Sequence, residues 1–288
     1  MVIKRTLGEK IFTVFNTVFL TFLSIICLYP IYHVLMASFS ESGPLLAHQG
    51  LLLAPAGFSF TSYEVIMRYP GIWSGYLNTI FIVLFGTCLS LLVTSMAAYP
   101  LSRQGFGARR FFMLAITFTM IFSGGMIPRF LVVRDVGLYD SIFSLIIPVA
   151  INTTNLIIVR TAFAAVPPSL EESAKIDGAN DLIIYARIIL PLTKATLAVI
   201  ALYYGVSYWN SWLTASIYLR NRERFPLQLI LREILIANDN NQAGSDSELM
   251  SEGIKYAAII VSTVPILCVY PFLQKYFVKG VMIGAVKG

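Results

Sequence analysis

Charge is scarce in this chain. Only 12% of its 288 residues are Asp, Glu, Lys or Arg, about half the share that solvates an ordinary soluble domain. That shortage excludes a soluble protein built around one large core. Cysteine and histidine are scarcer still, with three and two copies. Cys27, Cys88 and Cys268 stand alone inside apolar stretches, with no C-x-x-C and no Cys/His cluster. Neither a metal centre nor any other role is expected of them, since a lone buried Cys behaves as a small apolar residue. Also missing are a G-x-x-x-x-G-K-[ST] phosphate loop, a G-x-S-x-G elbow and an H-E-x-x-H pair. If the chain serves a pump, ATP is bound elsewhere. The formal charge of +6 is dispersed along the chain instead of gathered on one face, so nucleic acid is not an expected partner.

What the sequence does have is long apolar runs. A membrane helix needs roughly 20 apolar residues, and six stretches meet that need: 11–36, 76–99, 111–133, 139–159, 195–217 and 256–275. Pro, Gly and charged clusters separate them. The first run is too long for a signal-peptide core and lacks a small-residue cleavage pattern, so it reads as a retained helix. An all-α polytopic membrane protein with six transmembrane helices follows. Most of the 21 Lys and Arg flank one side, among them Lys4, Arg5, Lys10, Arg103, Arg109, Arg110, Arg160, Lys175, Arg187, Lys194, Lys275 and Lys279. The positive-inside rule then places both termini in the cytoplasm. Apart from Arg129, Asp140 and Lys275 toward their ends, the runs hold no charged residue, which disfavours a proton-coupled carrier; a sodium-coupled one, using backbone carbonyls, stays open.

One polar insert interrupts the pattern. Residues 161–194 form a cytoplasmic loop containing VPPSLEESAKIDGANDLIIYARIILP from Val166 to Pro191. Pro167 and Pro168 end the preceding helix, and Ser169 with Glu172 has capping-box spacing that predicts a short helix from Leu170. Gly178 can close that helix in a left-handed conformation. A second helix resumes through Leu182, Ile183, Tyr185, Ala186 and Ile189. Glu171, Glu172 and Asp177 are expected on the exposed side, while Ser173 and Ala174 leave a flat, closely approachable surface. A loop lying on the bilayer and a docking handle both fit. Surface helices usually turn Lys and Arg toward anionic lipid, so the leading acids favour a protein partner.

The insert resembles a known family. Glu172-Ser173-Ala174, Gly178 and Ile188-x-Leu190-Pro191 are similar, at the same spacings, to the cytoplasmic signature loop of ATP-binding-cassette importer permeases, with Ser173 in place of an Ala. Asn78-Thr79, Ala97 to Arg103, Gly137-Leu138-Tyr139-Asp140-Ser141, Trp209-Asn210 and the C-terminal Lys279-Gly280 resemble the sugar-permease branch of the maltose type. Phe122-Ser123-Gly124-Gly125 and Pro226-Leu227-Gln228-Leu229 are similar to a subgroup associated with complex oligosaccharides. The resemblance implies a type I importer permease fold, one transmembrane permease domain over 1–288, and no catalysis by this chain itself. It further implies a bacterial inner-membrane location, a second and different permease subunit, two ATPase subunits that bind ATP and magnesium, and an extracytoplasmic solute-binding protein. Glu171, Glu172, Ser173, Ala174, Asp177, Gly178, Ile188, Leu190 and Pro191 would couple the chain to its ATPase. No cofactor or metal is expected in this chain.

A substrate path is sought on two polar stripes. Tyr203, Ser207, Asn210 and Thr214 recur at helical spacing in the fifth run, and Ser141, Ser144, Pro148, Asn152 and Asn155 in the fourth. Helix-to-helix hydrogen bonding and a hydrated oligosaccharide path both fit such stripes. Tyr204, Tyr208, Trp209 and Trp212 add flat amphipathic faces suited to sugar rings. No positive residue in the middle of the spans argues for an acidic saccharide. Pro148 and Gly205 are candidate kinks. The external segment 218–255 predicts an amphipathic helix through Leu227, Leu231 and Leu235 followed by a loop; by resemblance it contacts the binding protein, and the Gly-rich tail enters the ATPase interface.

Overall fold

A computed structural model describes residues 6–240 and 252–268. Regular structure among the described residues is helical, with one isolated antiparallel bridge between Ser40 and Phe58. The described residues fall into two compact units, one comprising 6–69 with 233–240 and 252–263, the other 70–232 with 264–268.

The first unit begins with α1 (Leu7–Ser38). Thr6 and Glu9 close a full capping box at its start, with the Glu9 N–H donating to Thr6 Oγ1 at 3.3 Å and the Thr6 N–H to Glu9 Oε2 at 2.8 Å. Only Ala37 and Ser38 are buried; the long apolar remainder lies exposed, as a lipid-facing helix requires. Thr13, Thr17 and Ser24 donate their hydroxyls to carbonyls one turn back, so these three are not left bare in an apolar surround. Two short helices follow, α2 (Ser42–Ala47) and α3 (Thr61–Arg68). Phe39, Phe58, Phe60 and Tyr63 form an aromatic cluster there, and Ser38 and Tyr63 share a hydrogen bond of 2.8 Å.

In the second unit α4 (Ile72–Ser102) is long, apolar and unbroken. The other runs are not. The stretch expected as one span over 111–133 is α5 (Arg109–Ile121) and α6 (Met126–Asp135), bent by 117° at residues 122–125; Gly124 and Gly125 carry no side chain to support a helix, and Gly125 sits at φ 84°. The fourth run is two short 3-10 turns (Ile142–Leu145 and Ile147–Val149) followed, across a 50° bend, by α7 (Thr153–Ala164). Pro148 lacks the N–H an α-helix would use there. The stripe drawn through Ser141, Ser144, Pro148, Asn152 and Asn155 is therefore not one helical face.

The insert holds α8 (Pro168–Ile176) and α9 (Asp181–Ile184), a π-helical turn (Tyr185–Ile189) and α10 (Leu190–Leu192). Pro191 cannot donate, the turn before it widens to π geometry, and the chain bends by 82° at Thr193 into α11 (Lys194–Trp209). Gly205 lies within unbroken α11. The kink comes instead at Asn210 and Ser211, before α12 (Trp212–Tyr218). Helix α13 (Leu227–Asn240) occupies the expected amphipathic stretch, with Leu227 and Leu231 buried. A last helix, α14, covers residues 252–268. The remainder of the run to 275 and the glycine-rich tail lie outside the described residues.

Candidate coupling and translocation sites

The polar insert and both polar stripes belong to the second unit. Helix α8 starts two residues earlier than its Ser169 signal predicts: Pro168 occupies its first turn, where a missing N–H costs nothing, and no side chain caps it. Its end is built as the sequence suggests. Gly178 has φ 80°; its N–H donates to the Lys175 carbonyl at 3.0 Å and the Ala179 N–H to the Ala174 carbonyl at 2.9 Å. These two bonds make a Schellman closure, which satisfies the last helical carbonyls. Asn180 then caps α9, its side chain accepting from the Ile183 N–H at 2.9 Å. A surface ion pair of 3.5 Å, Lys175 to Asp181, spans the bend. The EESAKIDGAN stretch is thus a helix, a glycine closure and the cap of the next helix.

Its faces differ from the expectation at Glu171 and at Ala174. Glu172, Ser173 and Asp177 are exposed, but Glu171 is buried, with 8% of its surface accessible. Successive residues on a helix point about 100° apart, so Glu171 turns inward where Glu172 turns out. Arg103, at the end of α4, forms an ion pair with it. Ala174 and Ile188 are partly buried against the core, as is Leu190, while Pro191 lies on the surface. Sequence reasoning overlooked Ile176, which is 87% exposed beside Leu182 at 70%. Large apolar side chains held out of a polar insert are themselves a signal of a docking surface.

Of the sugar-path candidates, the structure separates two groups. Tyr204 and Tyr208 are buried and already engaged: Tyr204 Oη lies 2.7 Å from Thr94 Oγ1 and accepts from the Asn152 N–H at 3.0 Å. Tyr208 Oη lies 2.8 Å from Ser90 Oγ and 3.4 Å from the Ile146 carbonyl. These tyrosines satisfy backbone groups that the unwound fourth run leaves free, a requirement where water is absent. They bridge α11 to α4 and are not free to stack on a sugar. Gly86, Ser90 and Thr94 are spaced by four on α4, and a Cβ on Gly86 would come within 2.9 Å of the Tyr208 ring. That Gly-x-x-x-Ser-x-x-x-Thr pattern was present in the sequence and is the signal that could have found this contact.

Tyr203, Ser207 and Asn210 lie exposed on the other side of α11, with Thr214 half-buried on α12. Asn210 donates to the Val206 carbonyl at 2.9 Å and Thr214 to the Ser211 carbonyl at 3.0 Å. Asn152 caps α7 by accepting from the Asn155 N–H, and Asn155 is buried. Trp209 is buried, and Trp212 is covered by the Arg232 guanidinium 3.5 Å from its ring centre.

On the opposite end of the same bundle, Asp140 was missed. It adopts φ 55° in the turn between α6 and the first 3-10 turn, outside any spanning helix. Its Oδ1 accepts from the Arg220 and Asn221 N–H groups at 2.8 and 2.9 Å, and its Oδ2 pairs with Arg224 at 3.1 Å. The Asn221 and Arg220 backbone donors, helped by Arg224, hold its carboxyl below the usual carboxylate range. Asn78 and Thr79 grip the same segment, Asn78 donating to the Glu223 carbonyl at 2.7 Å and Thr79 Oγ1 accepting from the Leu227 N–H at 2.8 Å. Among the described residues no His, Cys, Asp and Glu gather into a metal-binding group.

Residues 90–283 match the family described as binding-protein-dependent transport system inner membrane component. Over 94% of its length the chain is 44% identical to the polygalacturonan/rhamnogalacturonan transport system permease protein YtcP of Bacillus subtilis (strain 168), covering 96% of that protein. It is 39% identical to protein LplC of the same organism, over 99% of this chain and 97% of the relative. Among solved structures, a bacterial ABC transporter involved in the import of the acidic polysaccharide alginate superposes with a TM-score of 0.85 at 35% identity, over 95% of this chain and 99% of the other. Broken helices around an intact α4, an inserted helix–glycine–helix and these matches define a membrane-embedded permease of the ABC importer class. The chain belongs to the binding-protein-dependent transport system inner membrane component family.

Proposed function

We propose that this chain forms half of the translocation pore of an ATP-driven oligosaccharide importer in the bacterial inner membrane, with both termini in the cytoplasm. The observation that carries this reading is α8: a short helix closed by Gly178, with Glu172, Ser173 and Ile176 presented outward, in a chain whose family is that of importer permeases. Separate ATPase subunits bind ATP and magnesium and receive α8. A second, different permease chain completes the pore, and an extracytoplasmic solute-binding protein delivers the sugar. Glu172 and Gly178 transmit force and carry out no chemistry. Transport proceeds by alternating access, and docking of the binding protein drives it only through a higher affinity for the outward-facing state.

Substrate class follows the relatives. YtcP is named for polygalacturonan and rhamnogalacturonan, and the solved neighbour for alginate; an oligosaccharide derived from such a polymer is the proposed cargo. Tyr203, Ser207, Asn210 and Thr214 remain the candidates for the path, because Tyr203, Ser207 and Asn210 are exposed and Thr214 is only half-buried.

The test is copurification followed by reconstitution. The chain is expected to copurify with an ATPase subunit and a second permease. Proteoliposomes containing the complex and binding protein are expected to import galacturonan, rhamnogalacturonan or alginate oligosaccharides only with internal ATP. Uptake by this chain alone, driven by a sodium gradient, would replace the proposal with a secondary carrier.

A further inference from the structure

Helix α8 precedes the fifth span, and covalent continuity alone would pass its movement to α11. The structure assigns it a second output. We infer that the buried Arg103–Glu171 ion pair is a rigid joint that makes α4 move with α8, so that Arg103 and Glu171 are positioning residues of the transport cycle. This inference rests on the proposed coupling role of α8.

The geometry is specific. Arg103 is the residue at which α4 ends, and its guanidinium meets three groups at once. One nitrogen pairs with Glu171 on α8. Another donates to the Phe163 carbonyl near the end of α7 at 3.3 Å, and the plane lies 5.1 Å from the centre of the Tyr99 ring. Side-chain exposure is 19% for Arg103 and 11% for Glu171. An ion pair so enclosed is far stiffer than a surface pair, because neither charge can return to water when the other departs. Arginine supplies the planar fork that such a three-way contact needs, which a lysine would not.

Two further ties hold the same end of α4. Arg160 on α7 donates to the Leu101 carbonyl at 3.1 Å. Tyr185, in the π turn after α9, shares a hydrogen bond of 2.7 Å with Ser95. The α4 terminus is therefore fastened before and after α8 as well as to it, whereas the outward face of α8 is free. Glu172 and Glu171, adjacent in sequence, divide the work: the first faces the partner, the second faces the chain's own second span. Helix α4 is in turn bonded to α11 through Ser90–Tyr208 and Thr94–Tyr204. Movement entering at α8 thus reaches α4 and α11 as one body.

The test uses the assembled complex in proteoliposomes, whichever galacturonan, rhamnogalacturonan or alginate oligosaccharide the wild type imports, and a background in which Cys27, Cys88 and Cys268 are replaced. Arg103→Gln and Glu171→Gln are each expected to keep ATP hydrolysis while lowering uptake per ATP about tenfold, and the exchange of Arg103→Glu with Glu171→Arg to regain part of that ratio. The decisive variant carries Arg103→Cys and Glu171→Cys joined by a short bis-thiosulfonate linker. A rigid joint predicts that the linked protein still transports, even if the single variants assemble poorly. Loss of uptake on linking, reversed by reductant, would show that α8 must slide against α4 and overturns the inference. Normal coupling in both Gln variants overturns it too. Failure to bind an ATPase at all, in the wild type, is a different result and counts against the coupling role itself.

Discussion

Gly178 shows how much one residue decides. At φ 80° a side chain meets no neighbouring atom within 4 Å, so the penalty for replacing it is in the backbone alone, about 1–2 kcal/mol for an L-residue in that conformation. A β-branched residue is the worst choice. Gly178→Val is expected to leave insertion and assembly intact while unwinding the end of α8, and uptake should fall severalfold at unchanged ATPase content, read as transport and ATP hydrolysis of the same preparation. Unaltered transport would remove the closure from the coupling mechanism. Glycine at this position was legible from the sequence because it acts through local backbone geometry; the Asn180 cap after it came only with the structure. The inward turn of Glu171 was not legible either: the string of letters gives the angle between Glu171 and Glu172 but not which of them has Arg103 opposite.

Among the elements, α4 survives as one piece because its side chains suit a helix and its neighbours stabilise it; the third run breaks at residues 122–125, the fourth at 150–152 after the turn holding Pro148, and the fifth at Asn210, with a further bend at Thr193 where the chain enters it. Hydrophobicity counts residues able to lie in lipid and is blind to whether they do so as one helix. Broken segments need partners for their freed backbone groups, and Tyr204 and Tyr208 supply two of them. Gly86→Val places side-chain atoms in the Tyr208 ring, and overpacking of this kind costs about 1–3 kcal/mol. The purified variant is therefore expected to melt at lower temperature in detergent than the wild type, and Gly86→Val with Tyr208→Ala should recover part of the loss. Equal melting temperatures for Gly86→Val and wild type would mean that α4 and α11 do not meet as described.

At the scale of the whole molecule the two ends of the second unit have different tasks. One end gathers α8, Arg103, Arg160 and the basic residues Arg109 and Arg110. The other is fixed by Asp140 to residues 220–224 and by Asn78 and Thr79 to residues 223–227. With the first end cytoplasmic, a cysteine introduced at Ser173 should react with a membrane-impermeant maleimide only in inverted vesicles, and one at Asn221 only in right-side-out cells. The reversed pattern would overturn the assigned orientation.

The amino-acid sequence alone determined that this is a helical membrane protein, where its apolar runs lie, that a closed glycine bend interrupts them, and to which class of permease it is similar. Those properties depend on composition and on neighbours a few residues apart, which a linear string contains. Tertiary structure alone decided that Tyr204 and Tyr208 are packed against α4 and the fourth run, that Glu171 is joined to Arg103, and that Asp140 clasps residues 220–224. Each of these depends on groups dozens of residues apart meeting within hydrogen-bonding distance, and that meeting is set by how the helices break and pack.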